Sequence, residues 1–245
     1  MTTAGETQDT SPLIKRHRLS TRLWHWTNFI CVSILLMSGL GIFNAHPRLY
    51  WGQFGANYDH AWLMLPRFPD WATIPGHYSL AMSRRWHLAF ALIFLASLLL
   101  YLLWSLLNRH FSRDLSVRRE DVRPSHIWRD IKDHALLRFQ VGEAARHYNV
   151  LQKLSYAVVL FILLPLMVLT GLTMSPGMNA AWPWLLDLFG GRQSARSIHF
   201  IIAALLLAFF IVHLIMVLLA GPYNEIRSMI TGRYRLPAER GEQDA

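Results

Sequence analysis

The chain has 245 residues, 53% of them hydrophobic and 16% charged, with a formal net charge of +9. A soluble domain carries about 25% charged residues, so this composition argues for a chain whose apolar surface faces lipid. The basic residues flank apolar stretches and form no soluble basic face, which excludes a nucleic-acid binder.

The first 22 residues are polar and basic, with Lys15, Arg16, Arg18 and Arg22, and contain no short apolar core with a small-residue cleavage site. The first apolar stretch is therefore expected to be retained. A helix needs roughly 20 apolar residues to cross the hydrocarbon core. Four stretches, beginning at Leu23, Trp86, Leu154 and Ser197, run at least that far without Lys, Arg, Asp or Glu. They predict spans at about residues 23–44, 86–108, 154–174 and 197–220, within a membrane domain of residues 23–220. Pro165 predicts a kink in the third span. Ser175-Pro176-Gly177 and Trp182-Pro183-Trp184 end that span. Residues 221–245 form a polar tail. The expected fold class is an all-α membrane protein, a four-transmembrane-helix bundle.

With four spans, both termini and the middle loop share a side. That side holds 18 of the 24 Lys and Arg residues: four before the first span, ten from residue 109 to 153, and Arg227, Arg233, Arg235 and Arg240. The other side holds Arg48, Arg67, Arg84, Arg85, Arg192 and Arg196. Positive-inside bias predicts a bacterial inner-membrane protein with both termini, including residues 1–22, in the cytoplasm. The single cysteine, Cys31, excludes an internal disulfide, a Cys-x-x-Cys-His haem attachment and a cysteine-held iron–sulfur cluster.

Histidine is the remaining supply of redox ligands. Of the twelve, four fall inside the spans: His25, His87, His199 and His213. An ionisable side chain in a lipid-embedded helix faces a bundle interior, a cavity or a cofactor. For any one of them, an interhelical hydrogen bond is the plain alternative. His199 and His213 are 14 residues apart, which on a helix is about 40° short of four turns and roughly 21 Å of rise. Both rings leave nearly one face, one in each leaflet. The topology puts His25 at the inner depth of His213, and His87 at the outer depth of His199. This pairing predicts two stacked b haems with bis-histidine iron, suited to electron transfer.

Arginine stands three residues before three of the four histidines, at Arg22, Arg84 and Arg196. About one helical turn separates each pair, so each guanidinium is placed to bind a haem propionate. A basic flank at a helix start is the plain alternative. Met37-Ser38-Gly39-Leu40-Gly41 in the first span and Leu169-Thr170-Gly171-Leu172-Thr173 in the third supply small residues. These let a macrocycle, or another helix, approach the backbone.

Arg22-Leu23-Trp24-His25-Trp26, the histidines of the second and fourth spans and the 14-residue spacing resemble the bacterial cytochrome b561/nickel–iron hydrogenase b-type cytochrome family, to which the gamma subunit of respiratory formate dehydrogenase belongs. The resemblance runs from about Lys15 to Tyr234. It implies a dihaem membrane subunit moving electrons between the quinone pool and a redox enzyme on one face. It also implies a quinone site at Tyr148-Asn149-Val150-Leu151-Gln152-Lys153, where the amides of Asn149 and Gln152 would bind quinone carbonyls. A helix N-cap is the alternative role for Asn149.

The long aromatic outer loop, residues 45–83, resembles that of thiosulfate reductase cytochrome b subunits. It favours a periplasmic molybdopterin oxidoreductase over a nickel–iron hydrogenase as partner. The inner loop, residues 109–147, is also long, and loops this long tend to be functional. By this reading the chain is the electron-transfer subunit of a membrane oxidoreductase complex. Its rival is a haem-free transporter or channel using the histidines as a proton or ion relay, although the spans contain no Asp or Glu. A metal-dependent protease is disfavoured, because the chain lacks His-Glu-x-x-His and its span histidines are split between leaflets. A bare membrane anchor is the last alternative.

Overall fold

The computed structural model describes residues 13–108, 132 and 150–235. The chain divides into two compact units: one takes the described residues of 24–115 and 155–212, the other those of 1–23, 116–154 and 213–245. The protein is an all-α membrane protein. Four helices are long and apolar enough to span: Leu19–Phe43, Leu80–Leu107, Gln152–Thr173 and Arg192–Leu219.

In chain order the elements are β1 (Leu13–Lys15), α1 (Leu19–Phe43), β2 (Arg48–Leu49), β3 (Leu63–Met64) and α2 (Leu80–Leu107). The third span is α3 (Val150–Val158), a π-helical turn over Val159–Leu163, and α4 (Leu164–Thr173). Two short helices follow, α5 (Pro176–Ala181) and α6 (Pro183–Leu188), then α7 (Arg192–Leu219), α8 (Pro222–Thr231) and β4 (Arg233–Arg235).

Helices α1, α2 and α7 begin ahead of the charge-free stretches that mark them in sequence. Arg22, Arg84, Arg85, Arg192 and Arg196 lie within the first turns. An arginine there costs little, because its long stem lies along apolar surface while the guanidinium reaches headgroup level. The irregularity expected at Pro165 takes the form of the π turn directly before it, with Pro165 placed in the first turn of α4. A prolyl ring clashes with the carbonyl four residues back, and widening the preceding turn relieves that clash.

In the larger unit, Cys31, Phe94, Leu98, Leu160 and Leu164 join α1, α2 and the third span in one apolar cluster. The most deeply enclosed side chains are small hydroxyls: Ser38, Ser83, Ser105, Thr170, Thr173 and Ser197. Leu, Ile and Trp dominate the exposed large side chains. Lipid is as apolar as leucine, so association in a membrane favours small residues at the contacts.

The outer loop closes one end of this unit. Its β2–β3 pair aligns Arg48 with Met64 and Leu49 with Leu63. The Asn44 amide is paired both ways with the Phe68 backbone, at 2.9 and 2.8 Å. The loop also caps α7. The first backbone N–H groups of that helix have no intrahelical acceptor; here Gln193 N and Ser194 N donate to Gly52 O, and Arg192 N donates to the Gln53 side-chain oxygen. This cap needs Gly191, whose φ is +108° and whose missing Cβ would stand 2.7 Å from the Gly52 carbonyl.

Gly191→Ala therefore strains its own backbone and displaces the cap. It is expected to cost about 1–3 kcal/mol, seen as a lower thermal midpoint in detergent. Gly177→Ala, with open space around the new methyl, is expected to leave the midpoint unchanged or raise it. Equal midpoints for the two variants would contradict this account of the cap.

Candidate functional site

Two of the four span histidines meet inside the larger unit. His87, in the third turn of α2, and His199, in the third turn of α7, have ring centroids 6.3 Å apart with planes at 65°. What holds each ring comes from a neighbouring helix. The His87 Nδ1–H faces Leu35 O at 3.1 Å and Ser38 Oγ at 3.2 Å, both on α1. The His199 Nδ1–H faces Thr170 Oγ1 at 3.0 Å, on α4.

The direction of these bonds is fixed by what the hydroxyls do. Ser38 donates its proton to Ile34 O at 2.6 Å, and Thr170 donates to Leu166 O at 2.6 Å. Each hydroxyl is left as an acceptor, so each imidazole carries its proton on Nδ1. The lone pair is then on Nε2, the usual arrangement of a metal-ligating histidine whose other nitrogen is tied to an outer partner.

The residue after each hydroxyl completes the grip. A Cβ on Gly39 would stand 3.4 Å from His87 Cε1, and one on Gly171 would stand 3.5 Å from His199 Cε1. Ser38-Gly39-Leu40 and Thr170-Gly171-Leu172 thus act as matching clamps. The small residues noted in the sequence admit an imidazole edge here.

The spacing of the pair would suit two histidines that hold one iron. An imidazole–metal bond of about 2.0 Å, with the ring centre roughly 1.1 Å beyond the nitrogen, puts two opposed rings about 6 Å apart. The observed separation agrees.

The arginines have different surroundings. Arg196 donates from Nη2 to His46 O at 2.6 Å and from Nη1 to Arg48 O at 3.2 Å. Arg84 is exposed near the start of α2. In the smaller unit, Arg22 donates from Nε to Met229 O at 3.4 Å. Beside Arg196, the His46 imidazole is held below its ordinary pKa by burial and then by the charges of Arg196 and Arg48. Its Nε2 meets the Tyr50 hydroxyl at 3.1 Å, and that hydroxyl donates to Ala56 O.

His25 lies in the second turn of α1, edge-on to Trp26, in the larger unit. His213 lies in α7 within the smaller unit. Gln152 opens the third span. Asn149 and the inner loop, apart from Lys132, lie outside the described residues.

Ser38 and Thr170 were not singled out by the sequence reading, because a hydroxyl in a membrane helix reads as packing. The available signal was the repeated hydroxyl-Gly-Leu within two spans that otherwise differ.

A family model described as prokaryotic cytochrome b561 matches residues 16–232. The putative protein-methionine-sulfoxide reductase subunit YedZ1 of Azospira oryzae is 30% identical over 203 residues, covering 81% of this chain and 87% of that protein. The probable Ni/Fe-hydrogenase B-type cytochrome subunit of Cupriavidus necator is 25% identical over 225 residues, covering 86% and 78%.

Thr170→Val keeps the shape of the clamp and removes its acceptor. Haem affinity at the His87/His199 pair is expected to fall on the order of tenfold, while Thr170→Ser retains it. Titration of haem into the apoprotein, followed optically, reads both. Equal affinities for Val and Ser would remove Thr170 from any role in holding the ligand.

Proposed function

The chain belongs to the prokaryotic cytochrome b561 family, and from that premise we propose that it is a dihaem subunit passing electrons between the quinone pool and a partner redox enzyme on the outer face. Membership makes it a b-type cytochrome of the membrane with haem b as cofactor. When bound, haem b supplies one-electron exchange at its iron.

The observation that carries the proposal is the His87/His199 pair, with both Nδ1 protons committed and both Nε2 atoms left for iron. With both axial positions filled, such a site favours electron transfer over oxygen chemistry. A relay histidine needs both nitrogens available to pass a proton, so the clamps count against the haem-free reading.

The second haem rests on the sequence: His25 and His213 are its proposed ligands, from the 14-residue spacing on α7 and the expected depth of His25. Arg22, Arg84 and Arg196 are proposed to meet propionates. A guanidinium has five N–H donors, and the bonds of Arg196 to His46 O and Arg48 O leave others for a carboxylate. Asn149 and Gln152 are the proposed quinone contacts.

Both relatives carry names of redox-enzyme subunits, which supports a redox-enzyme partner. The aromatic outer loop is the reason to favour a periplasmic molybdopterin oxidoreductase. Charge asymmetry supports the inner membrane, with both termini cytoplasmic.

Pyridine haemochrome analysis of the purified protein is expected to give two haems b per chain, with a b-type α-band on dithionite reduction. His87→Ala and His199→Ala should each leave one haem, and so should His213→Ala. A wild-type value of one sinks the second site, and no haem after expression with adequate supply sinks the proposal.

A further inference from the structure

We infer that α8 is an amphipathic foot that lies on the membrane surface and binds anionic phospholipid headgroups where α7 ends. The helix starts where the fourth span stops. Gly221, with φ +105°, turns the chain after Leu219, and Pro222 takes the first helical position of α8. The foot therefore begins at the depth of the headgroups.

Its two faces are opposite in kind. Tyr223, Ile226 and Ile230 stand at i, i+3 and i+7 on one face, exposed at 79%, 45% and 54%. On the other face Ser228 is fully buried. The Asn224 side chain donates to Arg235 O and accepts from Arg235 N, at 2.8 and 3.0 Å. The strand that follows, β4, pairs with β1 at Tyr234 and Ile14. These bonds fix the roll of the helix, so the apolar face cannot turn inward within this unit.

Charge names the surface that covers it. Residues 13–22 and 220–235 contain seven Lys and Arg and one acidic residue, Glu225. Glu225 is already engaged by Arg16 at 3.4 Å. Lys15, Arg18 and Arg233 are exposed, and the Arg227 guanidinium lies 5.8 Å from the centre of the exposed Tyr223 ring. An apolar stripe bordered by cations at the end of a span fits the boundary between acyl chains and anionic headgroups. An acidic protein would satisfy the cations but has no reason to meet a stripe level with the bilayer. Positive-inside bias assigns the cytoplasmic leaflet.

The test exploits Cys31, which is buried and the only cysteine. Ile230→Cys in the full-length, haem-loaded protein accepts a polarity-sensitive fluorophore, and unchanged haem content reports the fold. In nanodiscs of phosphatidylcholine with phosphatidylglycerol, emission is expected to shift blue and at least double in intensity relative to phosphatidylcholine alone. Arg227→Gln with Arg233→Gln, or high salt, should abolish the difference. Water-like emission in both discs overturns the foot. An equal blue shift in both overturns the anionic preference. A shift that appears only on adding a soluble acidic protein assigns the surface to a protein partner and overturns the lipid proposal.

Discussion

A histidine inside a membrane has two ring nitrogens to satisfy and no water to satisfy them with, and that constraint organises this protein. An unpaired polar group in hydrocarbon costs several kcal/mol. His87 and His199 meet half of the requirement by donating Nδ1–H to hydroxyls on adjacent helices. The other half, an electron pair on Nε2, calls for an acceptor that no apolar neighbour supplies. A metal centre is the natural answer in a family of b-type cytochromes. The clamp helices therefore do more than pack. By fixing which nitrogen keeps the proton, they leave Nε2 of each ring for the haem iron of the proposed site and count against a proton shuttle.

The two clamps show how a local repeat can persist where no repeat of the halves is visible. In each, a hydroxyl gives its proton to the carbonyl four residues earlier, accepts from a histidine of the next span, and is followed by a glycine that lets the ring come close. The first span serves the second in this way, and the third serves the fourth. Only two residues in each copy must match, so the rest of the helix is free to follow its own packing. A comparison of whole spans averages so short a signal away.

The same contrast explains what was legible in the sequence. Span number and the nearness of His87 to His199 follow from hydropathy and from the 1.5 Å rise of a helix, which are local rules. The helix starts were read late because Arg22, Arg84 and Arg196 look like boundaries in a charge count, while the helix carries them inside its first turns. Pro165 predicts a kink but not its form; the structure gives a π turn over Val159–Leu163 ahead of it. The cap on α7 was illegible, and the clamps showed only as a repeated hydroxyl-Gly-Leu, because their partners lie far apart in sequence, as with Thr170 and His199 or Gly52 and Ser194. The reading of Asn149 concerns a residue outside the described part.

At Arg196 the structure shows contacts that the spacing rule did not anticipate. The rule placed its guanidinium one turn above His199, facing the interface. The structure adds that this guanidinium holds the carbonyls of His46 and Arg48. One residue along, Ser197 accepts from Trp62 Nε1 and donates to Tyr50 O. The start of α7 and the outer loop are thus joined by side chains within three residues of His199. In the proposed electron-transfer subunit, an enzyme docked on the stacked Trp51 and Trp62 would press on a loop whose bonds end beside His199, a proposed haem ligand. On that proposal, a loop bonded to the helix that carries His199 would hold the electron path at constant length while a partner binds and leaves.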